Sequence, residues 1–460
     1  MRSCGTPDYF EMGNMIGWLV IILMLHLFTL DLVRYGWRST LISAFWVFTL
    51  FYVLSYPVKY LFIVVFNVPF QAPIKPETDS LTIALIFSFF FWLLVYLFRR
   101  KPKDIWNRSK DKARFAGKRQ LKGLRVSTQL ILIAMVFISL NSYYELLEKQ
   151  GFYLSLAYEG NAQNEARVGS GHVFLLFVLY IKAFFIGLFF YNKKQLYLII
   201  LVMLVVISGF LEMTLLGTRR PLYLIVYAFL LWCFMREGSA RAATLLAIYP
   251  VVMAALSPVG QILRYSLRDL LGGEIGAPIN LDYILVSIGS TFEGVEHLAN
   301  FMEKLNVWQL LVGVDQGISW LFNSGLSLVP RVIWDAKPYL YGSVAQQYFI
   351  YPLMYESGYA QATYPPGIVV DAMYGFGVVG LIPMAYLLAK VLSMMDKILF
   401  IHDIKPGLIL LLAAVSYIHI FNLVRGGTAI IMMIVMLLVL GALVSYVNRL
   451  VWLPSSYGTK

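Results

Sequence analysis

The stretch RRKPKDIWNRSKDKARFAGKRQLKGLR, Arg99–Arg125, decides how this chain is built. It carries twelve Lys/Arg against Asp104 and Asp111, a net +10 (twelve minus two) in a chain whose total is +12. Everything outside it is therefore almost neutral. The residues around it are apolar: 60% of the chain is hydrophobic and only 13% charged, with a mean hydropathy of +0.73. That is the composition of a membrane protein. A basic loop between apolar spans stays on the cytoplasmic side, so this stretch orients the rest.

Working outward, apolar runs long enough to cross a bilayer recur along the chain. The spans read at 12–30, 40–66, 81–98, 126–145, 172–190, 196–216, 221–235, 242–263, 366–391, 406–424 and 427–446, about eleven helices. The expected fold is an all-α, polytopic transmembrane bundle. Residues 1–263 hold eight spans and the basic loop, 264–365 form a long outer-face loop, and 366–460 hold three spans and a tail. Alternation from Arg99–Arg125 puts Arg34–Arg38, Lys193–Lys194, Arg236–Arg241, Lys397–Lys405 and the tail inside, and each carries basic residues. The N-terminus is then outside and the C-terminus inside. The start, MRSCGTPDYFEMGN, lacks a basic n-region, so the first apolar run reads as an uncleaved span.

The long loop is neither polar enough for a disordered tail nor apolar enough for spans. Ile284, Ile288, Phe292, Val295, Leu298, Met302 and Leu305 recur at three- or four-residue steps, as one face of an amphipathic helix does. Such a helix is expected to lie along the membrane surface or to cap the bundle. Pro330, Pro338, Pro352, Pro365 and Pro366 break the remainder of the loop into short pieces. Seven tyrosines crowd Tyr339 to Tyr364, either an interfacial belt or a surface for stacking on sugars.

The exceptions to the charge rule carry the chemistry. Arg219 and Arg220, Arg264 and Arg268, Arg331 and Lys337, and Arg425 all fall at the outer face, where no topology rule asks for cations. Snorkelling explains any one of them, but a set of outer guanidinium groups suits a phosphate or pyrophosphate ligand, which they grip bidentately. His419, Asn422 and Arg425 lie at three-residue steps along one span, a polar stripe of the kind that faces a bundle interior. Glu212, two turns before Arg219, shares its face and is expected to hold it.

Glu293, Glu296, His297 and Asn300 occupy the polar side of the amphipathic helix. Two readings stay open: a solvated face, which is the commoner outcome, or the source of a general base beside the anion site. Asp335 and Asp371 are further acids without a paired carboxylate nearby. Glu77 and Asp79, beside Lys75, read as a solvated turn rather than a cation site. Cys4 and Cys233 make a structural disulfide improbable, and no Cys/His spacing suggests a metal. No cofactor and no nucleic-acid partner is expected.

The segments LLGTRRPLYLIVYAFLLW, LRYS, LSLVPRVIWDAKP, TYPPGIVVDAMYGFGVVGLIP and FNLVRGG, in that order over residues 195–435, resemble the Wzy-type polymerases of O-antigen and related repeat-unit polysaccharides. The resemblance implies a GT-C-like, metal-independent glycosyltransferase of the cytoplasmic membrane. It would use undecaprenyl-diphosphate-linked oligosaccharide as donor and acceptor, with a chain-length copolymerase and a flippase as partners. It places diphosphate-binding cations at Arg219, Arg264, Lys337 and Arg425, with Arg220 and Arg331 beside them, and a carboxylate at Glu296. His297 and Asp335 join Glu296 as candidate bases. A flippase or exporter of lipid-linked sugars, or an O-antigen ligase, is the alternative.

Overall fold

A computed structural model of the chain describes residues 7–65, 74–100, 294–318, 343–353 and 367–398, with isolated positions 230, 244–245, 248–249, 420 and 423–424. Among these residues every regular element is helical. Four helical stretches are long and apolar enough to cross a membrane: Met15–Tyr35, Ala44–Val64, Thr78–Phe98 and Val378–Asp396. The protein is thus an all-α membrane protein in its described part. The division at 263 and 365, and the remaining spans, lie mostly outside the described residues.

The first helix, α1 (Pro7–Tyr35), runs past the expected end at residue 30. Gly36 separates it from α2 (Trp37–Ile42). Ser43 then caps α3 (Ala44–Val53), its hydroxyl accepting from the Trp46 amide. Pro57 cannot supply an amide to an α-helical ladder. Around it the chain widens into a π-helical turn, Leu54–Val58, before α4 (Lys59–Val64) completes the second span. α5 (Thr78–Phe98) matches its expectation within three residues. It is the centre of the described bundle, with α10 (Leu381–Ile398) and α6 (Gly294–Glu303) packed most extensively against it.

The span expected at 366–391 is displaced. α9 (Ile368–Phe376) stops at Gly377, a 3-10 turn Val378–Gly380 comes next, and α10 carries the membrane-length stretch. Gly377 has φ +61°, and a Cβ there would collide with the Leu311 backbone of α7 (Val307–Val312). The break is therefore set by close backbone packing. The Val314 amide donates to the Tyr374 carbonyl at 2.7 Å, which fastens the same corner.

The surface, unlike that of a water-soluble protein, is apolar along the described spans. Met15, Trp18, Leu19, Ile22 and Leu25 of α1 are exposed at helical spacing, as are Ile83, Ile86 and Phe90 of α5. Asp31, Lys59 and Glu296 are buried. An apolar exterior enclosing paired charges is what a lipid surround requires.

The interior is aromatic and cross-linked by side-chain hydrogen bonds. Trp92 Nε1 donates to Thr49 Oγ1 at 3.0 Å, and the Tyr52 hydroxyl donates to the Ser88 carbonyl at 2.7 Å. With no hydrophobic drive between helices in lipid, such close packing and interhelical bonds hold α3 to α5.

At the Arg99 end, the ends of four spans meet. Arg99 pairs with Asp31, whose carboxylate also accepts from Trp46 Nε1 at 3.1 Å. The Ala44 amide donates to Asp396 at 2.7 Å, and the Arg100 amide donates to Ser393 at 3.4 Å.

Candidate functional site

The opposite end of α5 is built around α6, and there the expectation of a solvated polar face is overturned. Glu296 and His297 are 0% exposed and Asn300 is 2% exposed; Val295, Leu298, Ala299 and Phe301 on the other side are buried as well. The helix is enclosed on all sides rather than laid on a surface, because α5, the π turn, α8 (Ser343–Ile350) and α9 surround it. At Gly294 a Cβ would meet the Tyr56 ring at 2.9 Å, so the absence of a side chain lets α6 close on the π turn.

Burying that polar face requires partners. Lys59 Nζ lies 2.9 Å from Glu296 Oε1, with both side chains sealed from solvent. Lys59 stands five residues before the end of its span at Val64, about 8 Å along a helix rising 1.5 Å per residue. The pair is therefore inside the bundle, in the third of the span nearest the Thr78 end of α5. A buried pair of this kind contributes little net stability; its desolvation cost offsets most of the attraction. What it does provide is a carboxylate held at a defined place in a water-poor interior.

The neighbouring residue continues the network. His297 Nδ1 is 2.7 Å from the Tyr351 hydroxyl, and Asn300 Nδ2 donates to that hydroxyl at 3.3 Å and to the Ile74 carbonyl at 2.8 Å. Tyr351 is one of the crowded tyrosines, yet it is buried and bonded within the bundle, not presented for stacking; Tyr348 is exposed. Asp371 is buried in the first turn of α9 and accepts from Gln346 Nε2 of α8. The loop acids behave as expected: Glu77 and Asp79 are exposed at the start of α5, where negative charge suits the helix dipole. The Glu77 amide also donates to the Glu303 carboxylate at 2.6 Å.

The structure thus brings Glu296, His297 and Asn300 together with Lys59 and Tyr351, and sets Asp371 on a neighbouring helix. The other candidates, Arg219, Arg220, Arg264, Arg331, Asp335, Lys337, His419, Asn422 and Arg425, with Arg268, Glu212 and Glu293, lie outside the described residues. So do Cys4 and Cys233. Lys59 carried a signal that could have singled it out, as the one charge in the apolar run 40–66. Tyr351 stood out only as one of the crowded tyrosines, and Gln346 carried no signal. Among the described residues no group of three or more His, Cys, Asp or Glu is placed to hold a metal ion. No family model matches the chain, and neither a curated protein nor a solved structure does.

Proposed function

We propose that this chain is a Wzy-type polymerase, a GT-C-like glycosyltransferase of about eleven spans. It joins undecaprenyl-diphosphate-linked oligosaccharide repeat units at the outer face of the cytoplasmic membrane. The observation that carries the reading is the enclosed Lys59–Glu296 pair with His297 and Asn300 beside it: a carboxylate delivered into a helix bundle by the segment between spans. With Arg99–Arg125 cytoplasmic, this network belongs to the outer half of the membrane, on the same side as the exceptional arginines of the sequence. The N-terminus is then outside and the C-terminus inside.

The chemistry suits those groups. The acceptor hydroxyl oxygen attacks C1 of the donor sugar, and the C1–O bond to the diphosphate breaks with its electron pair. The departing diphosphate gains negative charge, which Arg219, Arg264 and Arg425, with Arg220, Arg331 and Lys337, are suited to stabilise. Each such contact in a low-dielectric cavity is worth about 3 kcal/mol. The proton of the acceptor hydroxyl passes to Glu296, with His297 and Asp335 as the alternative bases. A diphosphate is already a good leaving group, so no nucleotide is consumed and the scheme assigns its cationic role to arginines. Bringing two lipid-anchored substrates into one chamber supplies much of the remaining acceleration.

Deleting the gene and separating surface glycans by electrophoresis tests the reading. A polymerase deletion leaves single repeat units at the surface and no ladder. Loss of all surface units would identify a flippase, and lipid-linked chains that never transfer would identify a ligase. Arg219→Ala, Arg264→Ala and Arg425→Ala, each well expressed, are expected to abolish long chains; normal ladders from all three would remove the anion site from the scheme.

A further inference from the structure

Two buried hydroxyls beside the Lys59–Glu296 pair have no hydrogen-bond partner: Ser55 Oγ and the Tyr56 hydroxyl. Both sit in the π-helical turn, 2% and 0% exposed. Single π turns inside α-helices recur at functional sites. Tyr56 reaches toward the start of α9. Its hydroxyl oxygen lies 2.7 Å from where a Cβ on Gly367 would stand, and it faces the Val369 amide in the first helical turn, though no hydrogen bond of normal geometry closes there. Gly367 is the N-cap of α9 and supplies no side-chain cap. The Val369 amide is thus aimed at the Tyr56 oxygen, while the Tyr56 O–H itself is left without an acceptor at the start of the helix.

A buried donor without an acceptor lowers stability, and phenylalanine would fill the same space without that cost. Tyr56 is thus a poor choice for packing alone. The surroundings select what it is kept for. Lys59, one turn further along the same helix, is already paired with Glu296, and the first turn of α9 carries Asp371, so what the Tyr56 O–H lacks is an acceptor oxygen rather than a counter-charge. The Val424 carbonyl lies 3.6 Å from the same Gly367 Cβ position.

We propose that the Tyr56 hydroxyl, at the start of α9, forms a seat for one acceptor oxygen of a phosphate group. This deepens the polymerase reading, on which the choice of a diphosphate as probe rests. The test uses the full-length chain in nanodiscs, with melting temperature and affinity measured for inorganic pyrophosphate, farnesyl diphosphate and farnesol. Tyr56→Phe is expected to melt at the same temperature as the parent or higher, and to bind the diphosphate at least about tenfold more weakly. Binding of both diphosphates supports a seat for free phosphate; binding of farnesyl diphosphate alone supports a lipid-borne one. The proposal is overturned if neither diphosphate binds, if Tyr56→Phe binds as the parent does, if farnesol shows the same Tyr56 dependence, or if Tyr56→Phe melts markedly lower or fails to fold. None of these results depends on glycan ladders, so failure here and failure of the polymerase reading are separable.

Discussion

Two buried ion pairs sit near opposite ends of α5, and they are finished differently. Asp31–Arg99 is wrapped: the carboxylate accepts from Trp46 and from the Tyr96 hydroxyl, while the guanidinium lies 4.0 Å from the Tyr96 ring centroid and 4.5 Å from that of Phe45. Nη1 makes no hydrogen bond, but the guanidinium as a whole gains from the quadrupoles of those rings. This pair ties α1 to α5 and locks the end of the bundle from which Arg99–Arg125 departs. Lys59–Glu296 lies beside a π turn, two unclaimed hydroxyls and a bare helix start. The contrast teaches that burial of charge alone does not mark a site. The Arg99 pair leaves one guanidinium nitrogen unbonded in an aromatic surround, whereas beside the Lys59 pair two hydroxyls are left unbonded next to a helix start.

The largest effect should come from splitting the second pair. Lys59→Met removes the ammonium opposite the buried Glu296 carboxylate and should cost about 3–5 kcal/mol of unfolding free energy, read by thermal denaturation of the purified chain. The double variant Lys59→Met/Glu296→Gln should regain most of that stability and still make no long polysaccharide. Recovery of a normal ladder in the double variant would make the pair purely structural and erase the distinction drawn here.

Arg99→Met should destabilise by about 3 kcal/mol, since Asp31 loses its counter-ion while keeping Trp46 and Tyr96 as donors. Polymer length per folded molecule should stay normal, which sharpens the contrast. A shortened ladder at equal folded protein would place the Arg99 end in the function too.

A smaller change is expected from Tyr351→Phe. It removes one hydroxyl shared by His297 and Asn300 and should cost about 1 kcal/mol, measured by the same thermal denaturation. An effect well above that would make Tyr351 the centre of the network rather than an orienting partner.

Legibility in the sequence divides along the same line. The span at 81–98 was readable because its hydropathy is continuous and Glu77 and Arg99 bound it with charge. The span at 366–391 was misplaced because its apolar residues continue unbroken through Gly377, and the collision with Leu311 that stops α9 is a contact with a distant segment. In α6 the helical period is readable, but its polar side fits both a solvated face and an enclosed base, and only the packing decides between them. Nothing near residue 296 announces that Lys59 waits inside the bundle. The arginines remain a property of the sequence alone.

By itself the sequence determined a membrane protein of helical spans with one strongly basic segment, because hydropathy and charge act over a single helix length and need no partner. The tertiary structure alone decided that Glu296, His297 and Asn300 face inward, that Lys59 answers Glu296, and that Tyr56 meets the start of α9. Those outcomes depend on which helices enclose a residue, and the free energy of a buried charge is set by what surrounds it in space.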